Sequence, residues 1–400
     1  MPEADPESAP PAEPGPGPGP LAFVFSAPTR IVYGEGTAAE AGIEISALGA
    51  RRPLLVTDAG VRAAGLVDGV LRALGRSCAG VFDEVPQDTG VHVVEQAAEA
   101  ARAAGADGVI SLGGGSVLDT AKGLALLLTE GGRLSDYQGF QMLSRRQAFH
   151  VAIPTTAGTG SEATFVAVIK DHQARSKILL FDAHLAPDVA ILDPALLASL
   201  PPRITAFTGM DALTHAVESV HSLQAEPFCD ALALHAVRLI AGSLPVCVER
   251  GRDLEARGRM LVAATLAGQA FTNAMVCVVH ALAHTLGGRF GVPHGLANAI
   301  LLPFGMEYNL SPSAARYALV AEAMGLRRAG WSDETAARAA VQGVRELSAR
   351  VGLPARLREA GVPREALAEI AEASLSDGSI VYNPRPADAA SLTELLEAAW

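Results

Sequence analysis

The stretch ADGVISLGGGSVLDTAK, residues 106–122, decides the fold. A short β-rich run ends in Gly113-Gly114-Gly115, and a helical pattern starts at once with Ser116, Val117 and Leu118. A strand that turns through glycines straight into a helix opens a parallel β–α–β unit. Successive glycines let the backbone approach a pyrophosphate closely, and a helix start offers free N–H groups and a positive dipole end. The pattern is not GxGxxG, and a plain tight turn explains the bare motif equally well.

Working outward, the same alternation recurs on both sides. FVFSAPTRIVYG (23–34), PLLVTDAG (53–60), CAGVFDEV (78–85), FHVAIPTT (149–156) and HLAPDVAILDP (184–194) read as strands. Ala- and Glu-rich segments such as VVEQAAEAARAAG (93–105) lie between them as helices. Strands alternating with helices predict a parallel sheet covered on both faces. After Pro201-Pro202 the β-rich runs become scarce and long Ala- and Leu-rich helical patterns take over. The expected organisation is therefore an α/β nucleotide-binding domain of Rossmann-like type over 21–200 and an all-α domain over 201–400. Residues 1–20 are almost all Pro, Gly, Ala and Glu, which cannot bury enough apolar surface to offset ordering. They are expected to form a disordered leader.

Two further features belong to the α/β half. Pro154-Thr155-Thr156-Ala157-Gly158-Thr159-Gly160-Ser161-Glu162 follows a strand and interleaves hydroxyls with glycines. Two Gly-rich loops at strand ends of one sheet favour a dinucleotide at its carboxyl edge. Asp58 closes the PLLVTD strand, where a carboxylate can bind ribose hydroxyls and repel a 2′-phosphate. A helix N-cap accounts for Asp58 just as well.

The helical half carries the metal chemistry. HALAHTLGGRFGVPHGLANAILLP (280–303) holds His280, His284 and His294, and GMDALTHAVES (209–219) holds Asp211 and His215. Residues four apart share a helix face, so each pair presents its side chains together. Gly287-Gly288 and Pro293 give His294 the slack to turn back toward the same point. A lone histidine on an apolar helix is more often a satisfied core residue. Five such side chains buried without partners would cost roughly 1–3 kcal/mol each, which favours a site for Fe(II), Zn(II) or a similar ion.

Composition bounds the rest. Of 400 residues, 50% are apolar and the net charge is −12, which argues against nucleic acid or an anionic membrane as partner. Cys78, Cys229, Cys247 and Cys277 are scattered, so neither a disulfide framework nor a cysteine zinc site is expected. With no signal peptide and no apolar run read as long enough to span a bilayer, a cytoplasmic enzyme is expected.

GGGSVLDTAK, PTTAGTGSE, GMDALTHAVE, HALAHTLG and PHGLANAILLP occur in this order, and together they resemble the iron-containing (group III) alcohol dehydrogenases. The resemblance runs from about Phe23 to the NPRP stretch near residue 383. It implies a nucleotide-binding α/β domain, a helical domain and a cleft between them. The family's metal ligands fall on Asp211, His215, His280 and His294, and its non-ligand histidine near the nicotinamide falls on His284. Its nucleotide contacts fall on Asp58, Gly114, Gly115, Ser116, Asp119, Thr155, Thr156, Thr159 and Lys177.

Two departures stand out. Many members carry Pro-Asn-Pro-Thr where this chain has Pro86-Gln87-Asp88-Thr89, which puts the local turn and one cofactor contact in question. Val276-Cys277 replaces smaller residues before the histidine motif and is expected to reshape the substrate pocket. The function implied is hydride transfer between NAD, with NADP as the alternative, and a small alcohol or aldehyde. Fe(II) is the expected metal and Zn(II) the alternative, and a homo-oligomer is expected. Rival readings are a maleylacetate-reductase-like activity, which the retained ligand set disfavours, a glycerol-dehydrogenase-type zinc enzyme, and a nucleotide-binding scaffold without chemistry.

Overall fold

A computed structural model describes residues 22–171 and 176–400, so the leader expected over 1–20 lies outside the described residues. Six parallel strands build the main sheet: β1 (Arg30–Tyr33), β2 (Pro53–Val56), β3 (Gly80–Phe82), β4 (Gly108–Gly113), β6 (Phe149–Pro154) and β9 (Val189–Leu192). Their order is β1-β9-β6-β4-β2-β3. β2 and β4 are neighbours in register, Leu54 beside Val109 and Val56 beside Ser111. The strand order reverses between them, so a crevice opens past their carboxyl ends.

Both faces of this sheet are covered, as alternating strands and helices require. Leu54, Val56 and Val109 pack under α4 (Val91–Ala103) and α5 (Gly115–Glu130). Leu55, Ile110, Leu112, Val151 and Ile153 pack on the other face with Ile45 of α1 (Ala41–Leu48) and Val70 of α3 (Val67–Leu74). The short α2 (Ala59–Ala63) follows β2. Burial on both faces is why these strands read as continuous apolar runs.

A second, three-stranded sheet was not foreseen. β5 (Gly139–Phe140), β7 (Val166–Asp171) and β8 (Ser176–Phe181) form it, with β7 and β8 antiparallel. In β7 Ala167 and Ile169 are buried while their neighbours are half-buried, the period-2 pattern of a strand with one wet face.

From Pro202 onward the described chain is helical. α6 (Pro202–His221), α7 (Pro227–Glu249), α8 (Leu254–Ala274), α9 (Val278–Phe290) and α10 (His294–Tyr308) surround one apolar core, and four further α-helices run to Ala399. α7 corrects one expectation, because by length and composition it is apolar enough to cross a membrane. Its apolar side chains Ala233, Ala236, Val237, Ile240 and Leu244 are buried in the core instead, and Asp230 pairs with Arg316. One face of α7 therefore packs into the core of the bundle. The two halves meet through buried polar contacts, including Thr265 of α8 donating to Glu162 at 2.6 Å.

Candidate active site

Three helices deliver the metal-type side chains. Asp211 and His215 lie one turn apart on α6, His280 lies in the first turn of α9, and His294 is the first residue of α10. Gly295 lets α10 start this close to α6, since a Cβ there would fall 2.6 Å from the Phe207 carbonyl oxygen and 3.3 Å from Asp211 Cβ. One donor atom from each of Asp211, His215, His280 and His294 lies within 4.8 Å of all the others. Asp211, His215 and His280 are buried, and His294 Nε2 is 3.6 Å from Asp211 Oδ1.

The electrostatics of this group suit a cation. Burial pushes the His280 and His294 imidazoles well below their ordinary range and lowers His215 as well, so all three present lone pairs. Burial pushes the Asp211 carboxyl up, opposed by His215 and a hydrogen bond from Asn298. The Asn298 amide nitrogen sits among them, 2.6 Å from Asp211 Oδ1 and 3.2 Å from Nε2 of both His280 and His294. Asn298 Oδ1 and His215 Nδ1 are buried and find no hydrogen-bond partner among the described residues. Three imidazoles and a carboxylate with donor atoms this close together are a nitrogen and oxygen set of the kind that suits a divalent transition ion.

Carboxylates stand behind two of the histidines. Glu218, also on α6, meets His280 Nδ1 at 2.5 Å and accepts the backbone N–H groups of Val279 at 2.7 Å and Cys277 at 3.0 Å. That bond leaves His280 Nε2 free for an ion, the usual arrangement of a carboxylate behind a ligating histidine. Glu218, His221 and Cys277 also cluster within 4.8 Å, but the Glu218 oxygens are already engaged by these three donors. Of the Val276-Cys277 pair, Cys277 is fully buried beside Glu218 and Val276 is half-buried.

His284 stands outside the four-residue group. Its ring stacks on His294 with centroids 5.4 Å apart, and its Nδ1 is 2.8 Å from Asp377 Oδ2. Burial pushes the Asp377 carboxyl up, but the His284 imidazole and bonds from His284 and Ser379 outweigh it and hold the group below the ordinary carboxylate range. Glu218 and Asn298 carry a readable sequence signal, because they fall three residues after His215 and four after His294 on the same helix faces. Asp377 has none; it is 93 residues from His284 and only the tertiary fold brings it there.

The nucleotide-type residues surround the crevice of the sheet. Asp58 follows β2, Gly114 caps α5 after β4, and Thr155, Thr156 and Thr159 follow β6. Gly115 lies against Thr159: a Cβ there would be 2.7 Å from its methyl group, so the two loops form one floor. Asp58 also caps α2, accepting from Val61 N at 2.9 Å. Asp119 is used within the protein, accepting from Ser161 Oγ at 2.6 Å and Val168 N at 3.0 Å. Ser116 Oγ accepts the Asp88 N–H at 3.1 Å, and Asp88 sits at φ 53°. A proline at 88 has neither that N–H nor that backbone angle, so this turn is built differently from a Pro-Asn-Pro-Thr turn. Lys177 lines the cleft with Asp88, Lys170, Gly287, Gly288 and His294. Burial lowers its pKa, and Asp88 and Asp377 oppose that shift.

The chain is similar to known proteins over nearly its whole length. The iron-containing alcohol dehydrogenase family profile matches residues 28–194, and the C-terminal profile of the same family matches 205–400. The chain is 39% identical to a 1,3-propanediol dehydrogenase from Citrobacter freundii, covering 94% of this chain and 99% of that protein. It is 35% identical to an NAD-dependent methanol dehydrogenase from Bacillus methanolicus, covering 93% and 98%. A crystal structure of a 1,3-propanediol oxidoreductase superposes with a TM-score of 0.92 at 37% identity, over 95% of this chain and 100% of that one. A maleylacetate reductase from Agrobacterium tumefaciens superposes less closely, with a TM-score of 0.80 at 31% identity over 95% and 98%. The chain belongs to the iron-containing alcohol dehydrogenase family and is an oxidoreductase of alcohols and aldehydes.

Proposed function

We propose that this enzyme interconverts a small primary alcohol and its aldehyde with NAD as coenzyme, using one divalent ion held by Asp211, His215, His280 and His294. The observation that carries the reading is the convergence of those four donors beside the cleft that His294 and Lys177 line. Bound in their places, the ion supplies Lewis acidity toward the substrate oxygen and the nicotinamide exchanges the hydride. The chain's own residues do the rest. Glu218 fixes the His280 tautomer, the floor formed by Gly114, Gly115, Thr155, Thr156 and Thr159 carries the pyrophosphate, and Ser116 and Lys177 flank it. His284 takes the hydroxyl proton during oxidation and returns it during reduction.

The Asp58 carboxylate, one oxygen of which caps α2, supports NAD over NADP because its charge repels a 2′-phosphate. Fe(II) is proposed from the family, and Zn(II) fits the same donors. Four free cysteines support a reducing, cytoplasmic setting, and a homo-oligomer is proposed. The test is coenzyme-linked turnover of a panel of alcohols and aldehydes with Fe(II) or Zn(II) supplied. NAD-linked turnover that needs the ion is expected; faster turnover with NADPH than NADH at equal low concentration overturns the coenzyme assignment.

A further inference from the structure

His284 and His280 stand one turn apart on α9, and each offers its Nδ1 to a carboxylate. The pair behind His280 is sealed, with Glu218 fully buried. The pair at His284 is partly open, with the His284 side chain 20% exposed and that of Asp377 22%, and the His284 ring stacks on His294, which lines the cleft. Asp377 is held at both oxygens. Oδ1 accepts the Ser379 N–H at 2.9 Å, so the residue caps the short 3-10 turn Gly378–Tyr382, and Oδ2 meets His284 Nδ1 at 2.8 Å. Beside it, Ser374 Oγ donates to Thr285 Oγ1 at 2.8 Å and ties this part of the chain to α9. The carboxylate is thus fixed in place before any substrate arrives.

We propose that Asp377 is the positioning residue for His284, an inference that rests on the proton-transfer role given to His284 above. An ionised carboxylate only accepts hydrogen bonds, so the imidazole must carry its proton on Nδ1 and leave a bare lone pair on Nε2. Nε2 is then the atom that takes the hydroxyl proton while the hydride leaves the carbinol carbon for the nicotinamide. The imidazolium formed keeps its Nδ1 proton, and the fixed negative charge beside it stabilises it; Asp377 itself stays ionised throughout. In the reverse direction Nε2 returns the proton to the oxygen as hydride arrives at the aldehyde carbon. The other tautomer would present an N–H to the substrate hydroxyl and could not accept its proton.

Two rival roles are open to Asp377: tethering the 3-10 turn, or acting on Lys177, whose pKa it opposes. A double-mutant cycle separates them. Asp377→Ala, His284→Ala and the double variant are each loaded with metal, and kcat is measured at saturating alcohol and NAD. Asp377→Ala is expected to lower kcat about 10–100-fold with metal content unchanged, and His284→Ala about 10²–10⁴-fold. The double variant is expected to match His284→Ala alone, because Asp377 acts only through that ring. An equal loss from Asp377→Ala in the wild-type and His284→Ala backgrounds overturns the proposal. A second readout does not depend on turnover: ¹⁵N-histidine spectra of the Zn(II)-loaded enzyme should show His284 protonated at Nδ1. An Nε2 proton in the wild type equally overturns it. If His284→Ala keeps the wild-type rate, the proton-transfer role falls, while the spectra still decide whether Asp377 sets the tautomer. Should Asp377→Ala not fold, Asp377→Asn keeps an acceptor for Ser379 but turns an amide NH2 toward His284 Nδ1, and is expected to lower kcat by favouring the other tautomer.

Discussion

His280 is held by Glu218 at one ring nitrogen and faces Asn298 with the other; its replacement removes a donor, while Glu218 keeps the N–H groups of Val279 and Cys277. His280→Ala should lose most bound metal and most turnover while its circular dichroism stays like the wild type; elemental analysis checks this. A buried histidine away from the centre predicts a pH effect. His150 Nε2 lies 2.7 Å from Ser111 Oγ, and burial, aided by the Lys122 charge, pulls its pKa down to about 3. The folded state keeps this imidazole neutral while the unfolded chain binds a proton below its reference value of about 6.5. Stability from this group is therefore complete above about pH 6.5 and lost as pH falls toward 3, with a limiting slope of about 1.4 kcal/mol per pH unit. His150→Asn should melt with a flatter pH dependence across that window; an unchanged profile contradicts the assignment. The nearness of Asp211 and His215 was legible because an i,i+4 pair reports its own geometry, whereas His284, spaced in the same way from His280, stands outside the four-residue group. Asp377 was not legible, because no local spacing links it to His284.

Among the elements, two glycine contacts separate the two halves of the site. Gly115→Ala would press its methyl group into Thr159 and break the floor shared by the loops after β4 and β6. It should weaken NAD binding by about tenfold or more, roughly 1.4 kcal/mol, and leave metal content intact. Gly295→Ala would push the start of α10 off the Phe207 carbonyl of α6 and carry His294 away from Asp211. It should lower metal content with NAD binding intact, and calorimetric titration of each variant with NAD and metal tells the two apart. The parallel strands could be read from the sequence because burial on both faces makes them continuous apolar runs, as in Leu54, Leu55 and Val56. The β7–β8 pair was passed over because its half-wet alternation, with Lys170 opposite Lys177, gives a weaker signal. Position 88 shows the limit of motif reading, since the left-handed Asp88 forms a turn that the family pattern does not describe.

Across the whole molecule, the sheet carries the loops proposed as the coenzyme floor and the helices carry the four donors proposed for the metal. A buried polar contact joins one to the other: Lys122 of α5 holds the Ser161–Thr164 segment, donating to Ser161 Oγ and Thr164 Oγ1 at 2.8 Å each, and Glu162 of that segment accepts from Thr265 of α8. A ligand that binds only the folded centre must stabilise the whole fold by mass action, about 2.7 kcal/mol at a hundredfold excess over Kd. Adding metal should therefore raise the melting temperature of the wild type and leave that of Asp211→Ala unmoved. The division into an α/β and a helical half was legible in where the β-rich runs stop near Pro201-Pro202. The Glu162–Thr265 link between the halves was not, since buried Glu162 looks like an ordinary surface charge in one dimension. The most direct measurement is metal stoichiometry, by elemental analysis after Fe(II) loading and desalting, for the wild type and Asp211→Ala with NAD-linked turnover followed in parallel. One ion per wild-type chain, and loss of both the ion and turnover in Asp211→Ala, is the predicted result; a variant that keeps wild-type metal and rate contradicts a centre built on Asp211, His215, His280 and His294.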